Sequence, residues 1–350
     1  PAGAGDVRSR PAPPCATESL HLAGGRTVRL YVWRPDAAGV GAGTEGGWDA
    51  VAVCFHGAGD AGLVWAPLAE SVFASGQPGV AAMVAVDLRG HECRLQLPDC
   101  TEPGNEVADL QGDVVGQWNA EDLSRETLVQ DAEEVVDAVS RRYGTDIILV
   151  GHSLGGALAA FAADALLRRG PAPRVAAVAL LDAIEGTAIE GLERTAAWLE
   201  ARPSSFKSLE AAVEWSLSSG MLQCRSAAEL SVPARLRWHD ASEAWTWRAN
   251  VAAHRHDWRR WFEGLSATFV ALPLPKMLLV GGVDRLDAAL EAAHMQGRFK
   301  LEVVPHSGHQ VHEDRPEDVA RSLAGFLSGI RRQRAAFARL ACAPATGTCG

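Results

Sequence analysis

At 350 residues the chain is long enough for one large domain with a well-buried core and room for insertions. Its hydrophobic share of 47% is ordinary for a globular protein, and no uninterrupted apolar stretch reaches membrane-span length; the longest candidate, around residues 175–184, is broken by Asp182. The formal net charge of −10 argues against nucleic acid as the main ligand.

Residues 1–17 are rich in Pro, Ala, Gly and Arg, lack periodicity, and read as a flexible segment before a domain spanning 18–333. Residues 28–33 and 51–55 read as early strands, joined by a long glycine-rich turn at 37–47. A third strand, 82–86, ends in Asp87 and the turn Leu88-Arg89-Gly90-His91, where His91 is expected to fix loop geometry. Residues 92–120, with Glu92, Glu102, Glu106, Asp109 and Asp113 and few apolar side chains, read as an extra surface loop. Leu128, Ala132, Val135 and Val139 recur at helical spacing, and Gly144 ends that helix. A fully apolar strand follows at 147–150, then an alanine-rich helix at 157–169 stopped by Gly170-Pro171. Strands are expected at 175–181, 276–280 and 301–304. A last helix carries the stripe Val319, Leu323, Phe326 and Ile330 behind Pro316-Glu317-Asp318, and a flexible tail is expected over 334–350. Continuous apolar strands alternating with helices predict an α/β fold with a mostly parallel, doubly wound sheet.

The chemistry concentrates at Gly151-His152-Ser153-Leu154-Gly155. This is G-x-S-x-G between a strand and a helix, the context of a nucleophile elbow in the α/β-hydrolase fold. The serine needs a sharp, strained turn, and the glycines let neighbouring backbone approach. Gly156 adds a further small residue. Phe55-His56-Gly57-Ala58-Gly59 follows an early strand, where this fold places half of its oxyanion hole. The expected donors are the backbone N–H groups of Ala58 and Leu154. The general base is expected after the last strand, in Pro305-His306-Ser307-Gly308-His309, and His309 is the choice. A metal site of His306, His309 and His312 is the alternative; the nearby acids look like helix-start residues, so neither a metal nor a cofactor is expected. Two aspartates compete as the acid. Asp182 follows 175–181, Asp284 follows 276–280, and both precede His309 in the order serine, acid, histidine. Fold geometry alone slightly favours Asp284.

The seven cysteines are odd in number and scattered, with no CxxC pair, which suggests neither a zinc site nor a disulfide framework. Cys54, in an apolar strand, reads as a reduced, buried thiol. The expectation is a reducing compartment, cytoplasmic and/or nuclear. The chain opens on Pro1, so a targeting signal upstream would not be visible.

Several stretches outside the generic motifs resemble the protein phosphatase methylesterase 1 family. They include Asp182-Ala183-Ile184-Glu185-Gly186-Thr187-Ala188, Arg202-Pro203-Ser204-Ser205-Phe206-Lys207-Ser208, Thr246-Trp247-Arg248, Gly282-Val283-Asp284-Arg285-Leu286-Asp287 and Gly308-His309-Gln310-Val311-His312-Glu313-Asp314. The matches run in order from about His56 to about Phe326. The chain departs from the family in the 92–120 loop, in a short 236–244 where better-known animal members carry a long acidic insert, and in Ala58-Gly59-Asp60 in place of a plain glycine run. The resemblance implies removal of a methyl ester from the C-terminal leucine of the protein phosphatase 2A catalytic subunit. Ser153 would be the nucleophile, His309 the base, and Leu154 and Ala58 the oxyanion donors. By position, the family's acid falls on Asp182.

The insert at 184–262 reads as a helical lid. It holds seven of the eleven tryptophans, most of them expected in the lid's own small core and one or two lining a groove for an apolar peptide tail. Two other functions fit the generic motifs: a small-ester carboxylesterase, and a phosphatase-binding module without turnover. The complete serine, acid and histidine set argues against the second, and the family-like insert argues against the first.

Overall fold

A computed structural model describes residues 15–23, 25–35, 49–74, 79–91, 122–170 and 174–341. The expected loops at 37–47 and 92–120 lie outside the described residues.

The strands are β1 (Cys15–His21), β2 (Thr27–Trp33), β3 (Ala50–Phe55), β4 (Val80–Val86), β5 (Asp146–His152), β6 (Val175–Leu181), β7 (Ser205–Phe206), β8 (Leu236–His239), β9 (Ala244–Trp247), β10 (Lys276–Val280) and β11 (Lys300–Val303). The main sheet runs β1-β2-β4-β3-β5-β6-β10-β11, antiparallel at β1-β2 and β2-β4 and parallel from β4 onward. Every residue of β3, β5, β6 and β10 is buried, as strands covered on both faces must be.

Helices cover the two faces. On one side α1 (Ala66–Ala74) lies below the helix closing the chain; on the other lie α2 (Arg125–Tyr143) and α3 (Leu154–Arg169). The Ser124 hydroxyl caps α2 by accepting from the Thr127 N–H, and Gly144 ends it in the left-handed region at φ 62°. Beyond β6 come the lid helices α4 (Glu185–Glu190), α5 (Leu192–Ala201), α6 (Leu209–Ser218), α7 (Arg225–Ser231) and α8 (Trp258–Phe262). Then follow α9 (Leu265–Ala271), α10 (Ala288–Met295), α11 (Val311–Asp314) and α12 (Pro316–Ala341).

Three expectations change. The segment expected to be flexible to residue 17 already pairs as β1 from Cys15, in full register with β2. The lid is not purely helical: β7, β9 and β8 form a three-stranded antiparallel sheet over a small core of Phe206, Val213, Leu222, Val232 and Leu236. The tail expected from 334 is helix as far as Ala341, because Arg, Ala and Leu in that stretch are strong helix formers.

The nucleophile turn depends on close backbone approach. A Cβ on Gly155 would collide with the Phe55 carbonyl at the end of β3, and one on Gly151 with the Gly155 carbonyl. Gly156 is equally constrained, packed on the Cβ of Ala183. Gly155→Ala should therefore destabilise by about 3 kcal/mol or leave the protein insoluble. Gly144→Ala meets no neighbour and should lose only about 1–2 kcal/mol for its left-handed φ. Equal urea midpoints for the two variants would refute the steric account of the turn.

Candidate active site

Ser153 sits between β5 and α3 at φ 52°, ψ −120°, a strained conformation for a residue with a Cβ. Backbone bonds fix the turn: its N–H donates to the Leu181 carbonyl at 3.1 Å, and its own carbonyl accepts from Gly156 at 2.9 Å. Its side chain opens into a cleft of about 560 Å³ between the sheet and the lid, lined also by Ala58, Asp182 and His309. That volume is ample for a small ligand or the end of a peptide.

Asp182 leaves β6 in the left-handed region at φ 47°, which aspartate tolerates better than most residues. Its N–H bonds the Leu279 carbonyl of β10 at 2.8 Å, and the turn aims the carboxylate at the His309 loop. His309 Nδ1 donates to Asp182 Oδ2 at 2.7 Å. The same oxygen accepts from the Arg285 guanidinium, while Oδ1 is buried without a partner among the described residues. Burial works against the charge, but the His309 hydrogen bond and then Arg285 hold the carboxyl below its ordinary value. Asp284 is exposed on a short 3-10 turn. Arg285 pairs with Asp182 rather than forming a loop cluster with Asp287, whose carboxylate instead caps α10 and accepts from Gly186 N–H and Ser266 Oγ.

The His309 imidazole is half exposed, at 53%. Among the described residues its other nitrogen makes no hydrogen bond with Ser153 Oγ; such a contact often tightens only when substrate arrives. His306 is exposed at φ 58°. His312 is fully buried, its ring 4.5 Å from Trp65 and 4.7 Å from His152, and burial pushes it well below the usual histidine range. Among the described residues no three His, Cys, Asp or Glu side chains are grouped as a metal would require.

The oxyanion side has a definite tautomer logic. His91 Nε2 accepts from the Gly59 N–H at 2.9 Å while its Nδ1–H donates to the Arg89 carbonyl. His56 does likewise, with Nδ1–H to the Gly57 carbonyl and Nε2 accepting from Leu88. Burial, with His91 beside it, pushes His56 down to about 3, so it stays neutral. The Gly59 donor is thereby occupied, and Ala58, exposed to the cleft, is the neighbouring backbone position facing Ser153's space. Leu154 is the first residue of α3, whose first-turn N–H groups have no intrahelical acceptor.

Two contributors went unread in the sequence. His152, the variable residue of the motif, donates from Nε2 to the His309 carbonyl at 2.9 Å and so ties the elbow to the base loop. Arg235 of the lid is fully buried; it donates from Nε to Asp60 at 2.8 Å and is paired through its terminal nitrogens with Glu313. Burial opposes the Asp60 charge but Arg235 holds that carboxyl low, whereas for Glu313 burial outweighs Arg235 and pushes the carboxyl up to about 7. A buried cation shared by two acids that lie 175 and 78 residues away marks no sequence pattern; only its three elements meeting in space reveal it. Four of the lid tryptophans line the cleft, Trp198, Trp247, Trp258 and Trp261, more than the one or two expected.

A family model described as the alpha/beta hydrolase family matches residues 52–322. The chain is 33% identical over 319 residues to protein phosphatase methylesterase 1 of Bos taurus, covering 79% of this chain and 76% of that protein. It is 35% identical over 289 residues to probable protein phosphatase methylesterase 1 of Caenorhabditis elegans, covering 83% of this chain and 72% of that one. Among solved structures it is similar in fold to E-2-(acetamidomethylene)succinate hydrolase, with a TM-score of 0.64, 18% identity, and 90% and 99% of the two chains covered.

Removing Arg235 leaves two buried carboxylates facing each other, so Arg235→Met should destabilise by about 3–5 kcal/mol. Glu313→Gln tests the raised carboxyl. A folded-state value above the unfolded one means the native state binds the extra proton, so the wild type loses stability as pH rises through that window. The glutamine variant should therefore gain on the wild type between about pH 5 and about pH 8, read as the difference in urea midpoints. A difference that stays constant or shrinks would show that Glu313 is ionised throughout.

Proposed function

The chain belongs to the protein phosphatase methylesterase 1 family of α/β hydrolases and is an ester hydrolase; we propose that its substrate is the methyl ester on the C-terminal leucine of the protein phosphatase 2A catalytic subunit. The observation that carries the chemistry is the 2.7 Å Asp182–His309 hydrogen bond beside a serine held at a strained strand-to-helix turn.

In this reading Ser153 Oγ attacks the ester carbonyl and His309 takes its proton on Nε2. The Ala58 and Leu154 N–H groups hold the developing oxyanion. His309 then gives the proton to the leaving methoxide, releasing methanol and leaving an acyl-serine. It next takes a proton from water, whose oxygen attacks the acyl carbon, and returns that proton to Ser153 as the free carboxylate departs. Asp182, kept ionised by its two cationic or donor neighbours, orients the imidazole and stabilises its charged form. The apolar wall of Ile184, Leu192, Trp258, Trp261 and Phe262 suits a leucine side chain on the acyl group. The free thiols of Cys54 and Cys224 suit the proposed reducing compartment, cytoplasmic and/or nuclear.

Ser153→Ala should abolish methyl release from carboxymethylated phosphatase 2A while leaving the thermal transition in place. Asp182→Asn should lower kcat by about 10³–10⁴, and Asp284→Asn should stay within about threefold of wild type. An Asp284 variant as damaged as the Asp182 variant would reassign the acid.

Contacts far from the ester can be used to position it. Intact methylated phosphatase should therefore exceed a short methyl-ester peptide of the same tail by about 100-fold or more in kcat/KM. Equal values for protein and peptide, or a simple acetate ester outpacing both, would favour a general carboxylesterase.

A further inference from the structure

One wall of the cleft carries cations that the ester chemistry does not use. Helix α5 lends it Arg194 and Trp198, a pair at i and i+4 on one helix face, and Arg202 follows at the helix end. Arg202 is half buried, with its guanidinium carbon 4.3 Å above the Trp247 ring. Trp247 is itself fixed. Its Nε1–H donates to the Pro203 carbonyl at 2.7 Å, and its ring meets Phe206 and Trp215 edge-on, each at 5.6 Å. A planar cation thus lies on a rigid aromatic platform at the rim of the cleft.

Among the described residues no carboxylate pairs with Arg202 or Arg194, whereas the cleft's third cation, Arg285, is held by Asp182. Withdrawing a guanidinium from water without an acid is unfavourable, and stacking on an indole offsets only part of that. Burial pushes Arg202 down to about 10, still charged at neutral pH. The chain carries a formal net charge of −10, so an unneutralised pair of arginines is not for want of acids. The fork of N–H donors on a guanidinium matches a carboxylate in two parallel hydrogen bonds.

We propose that Arg202, stacked on Trp247 and flanked by Arg194, is a carboxylate-binding subsite that reads an acidic side chain upstream of the scissile ester. This rests on the reading that the acyl group is the C-terminus of a peptide chain. It makes the enzyme selective for acidic tails, with the ester end seated in the apolar pocket and the acidic residue held at the rim.

The test uses acetylated pentapeptide leucine methyl esters with a single Glu, Gln or Lys at each upstream position in turn, and follows methanol release by the full chain. At one position the wild type should prefer Glu over Gln by about tenfold in kcat/KM, mostly in KM, and the preference should shrink in high salt. Arg202→Gln should bring that ratio to about one. Arg202→Lys should keep part of it, and Arg202→Glu should invert it in favour of Lys, which a purely structural role for Arg202 would not do. A wild-type ratio near one at every position, or a ratio that survives Arg202→Gln and Arg202→Glu, overturns the subsite while leaving the esterase reading intact. Hydrolysis of none of the peptides by the wild type, with intact methylated phosphatase also untouched, removes the esterase reading and the subsite with it.

Discussion

The Arg235 guanidinium is buried in the base of the lid, and two carboxylates from distant parts of the chain meet it there. Asp60 comes from the loop that carries Ala58, and Glu313 from the turn just after His309. A buried ion network of this kind is a weak source of stability, since apolar side chains of equal volume often do better. What it does provide is position. The oxyanion loop, the lid and the base loop cannot shift independently without stranding a charge away from water. Ser231 Oγ accepts a further bond from the same guanidinium at 2.8 Å, and Asp314, beside Glu313, accepts from both Gly308 N–H and the lid's Gln223 N–H. The His309 loop is thus set in place from the lid as well as from the sheet.

Most of the parallel sheet was legible because its physics is written in composition. A strand buried on both faces must be apolar throughout, and β3, β5, β6 and β10 are. The elements that were not legible are those whose surroundings differ. β1 reads Cys-Ala-Thr-Glu-Ser-Leu-His, an edge strand with only one residue fully buried, and nothing in it outweighs the irregular sequence before it. The lid strands are two to four residues long, below the length at which a two-residue alternation can be recognised. Ser153 and His309 were legible because their motifs carry local geometry. His152 and Arg235 were not, because their partners lie 157 and 175 residues away.

The competition between Asp182 and Asp284 shows where sequence geometry stops. β6 and β10 are neighbours in register, so both acids leave the sheet at the same edge. The difference arises in the residues immediately after each strand. Asp182 comes directly after Leu181, and its positive φ turns the side chain toward the His309 loop at once. Gly281, Gly282 and Val283 separate Asp284 from the end of β10 and carry it onto an exposed turn. Three intervening residues and one backbone angle separate the two placements, and neither is encoded in a periodicity.

Asp284's neighbour, by contrast, reaches the acid at the site. Arg285 shares Asp182 Oδ2 with His309, and its carbonyl accepts from Thr187 Oγ1 at 2.7 Å. Glu185 accepts from the Gly264 and Ser266 N–H groups at the start of α9, and Asp287 binds Gly186 and Ser266 from the other side. The two stretches that carried much of the family resemblance, 182–188 and 282–287, are therefore one unit in space: an acid, its counter-cation, and the bonds that hold both. The arrangement is a compromise. A buried carboxylate with one oxygen unpartnered would drift toward its neutral form, and a neutral Asp182 could not stabilise an imidazolium. The His309 hydrogen bond and then Arg285 prevent that; under the proposed mechanism, Arg285 does so by neutralising part of the charge that His309 would lean on when it takes the serine proton. In that mechanism the base is held aligned at the expense of some of its electrostatic support, which would leave more of the transition-state stabilisation to the backbone donors proposed at Ala58 and Leu154.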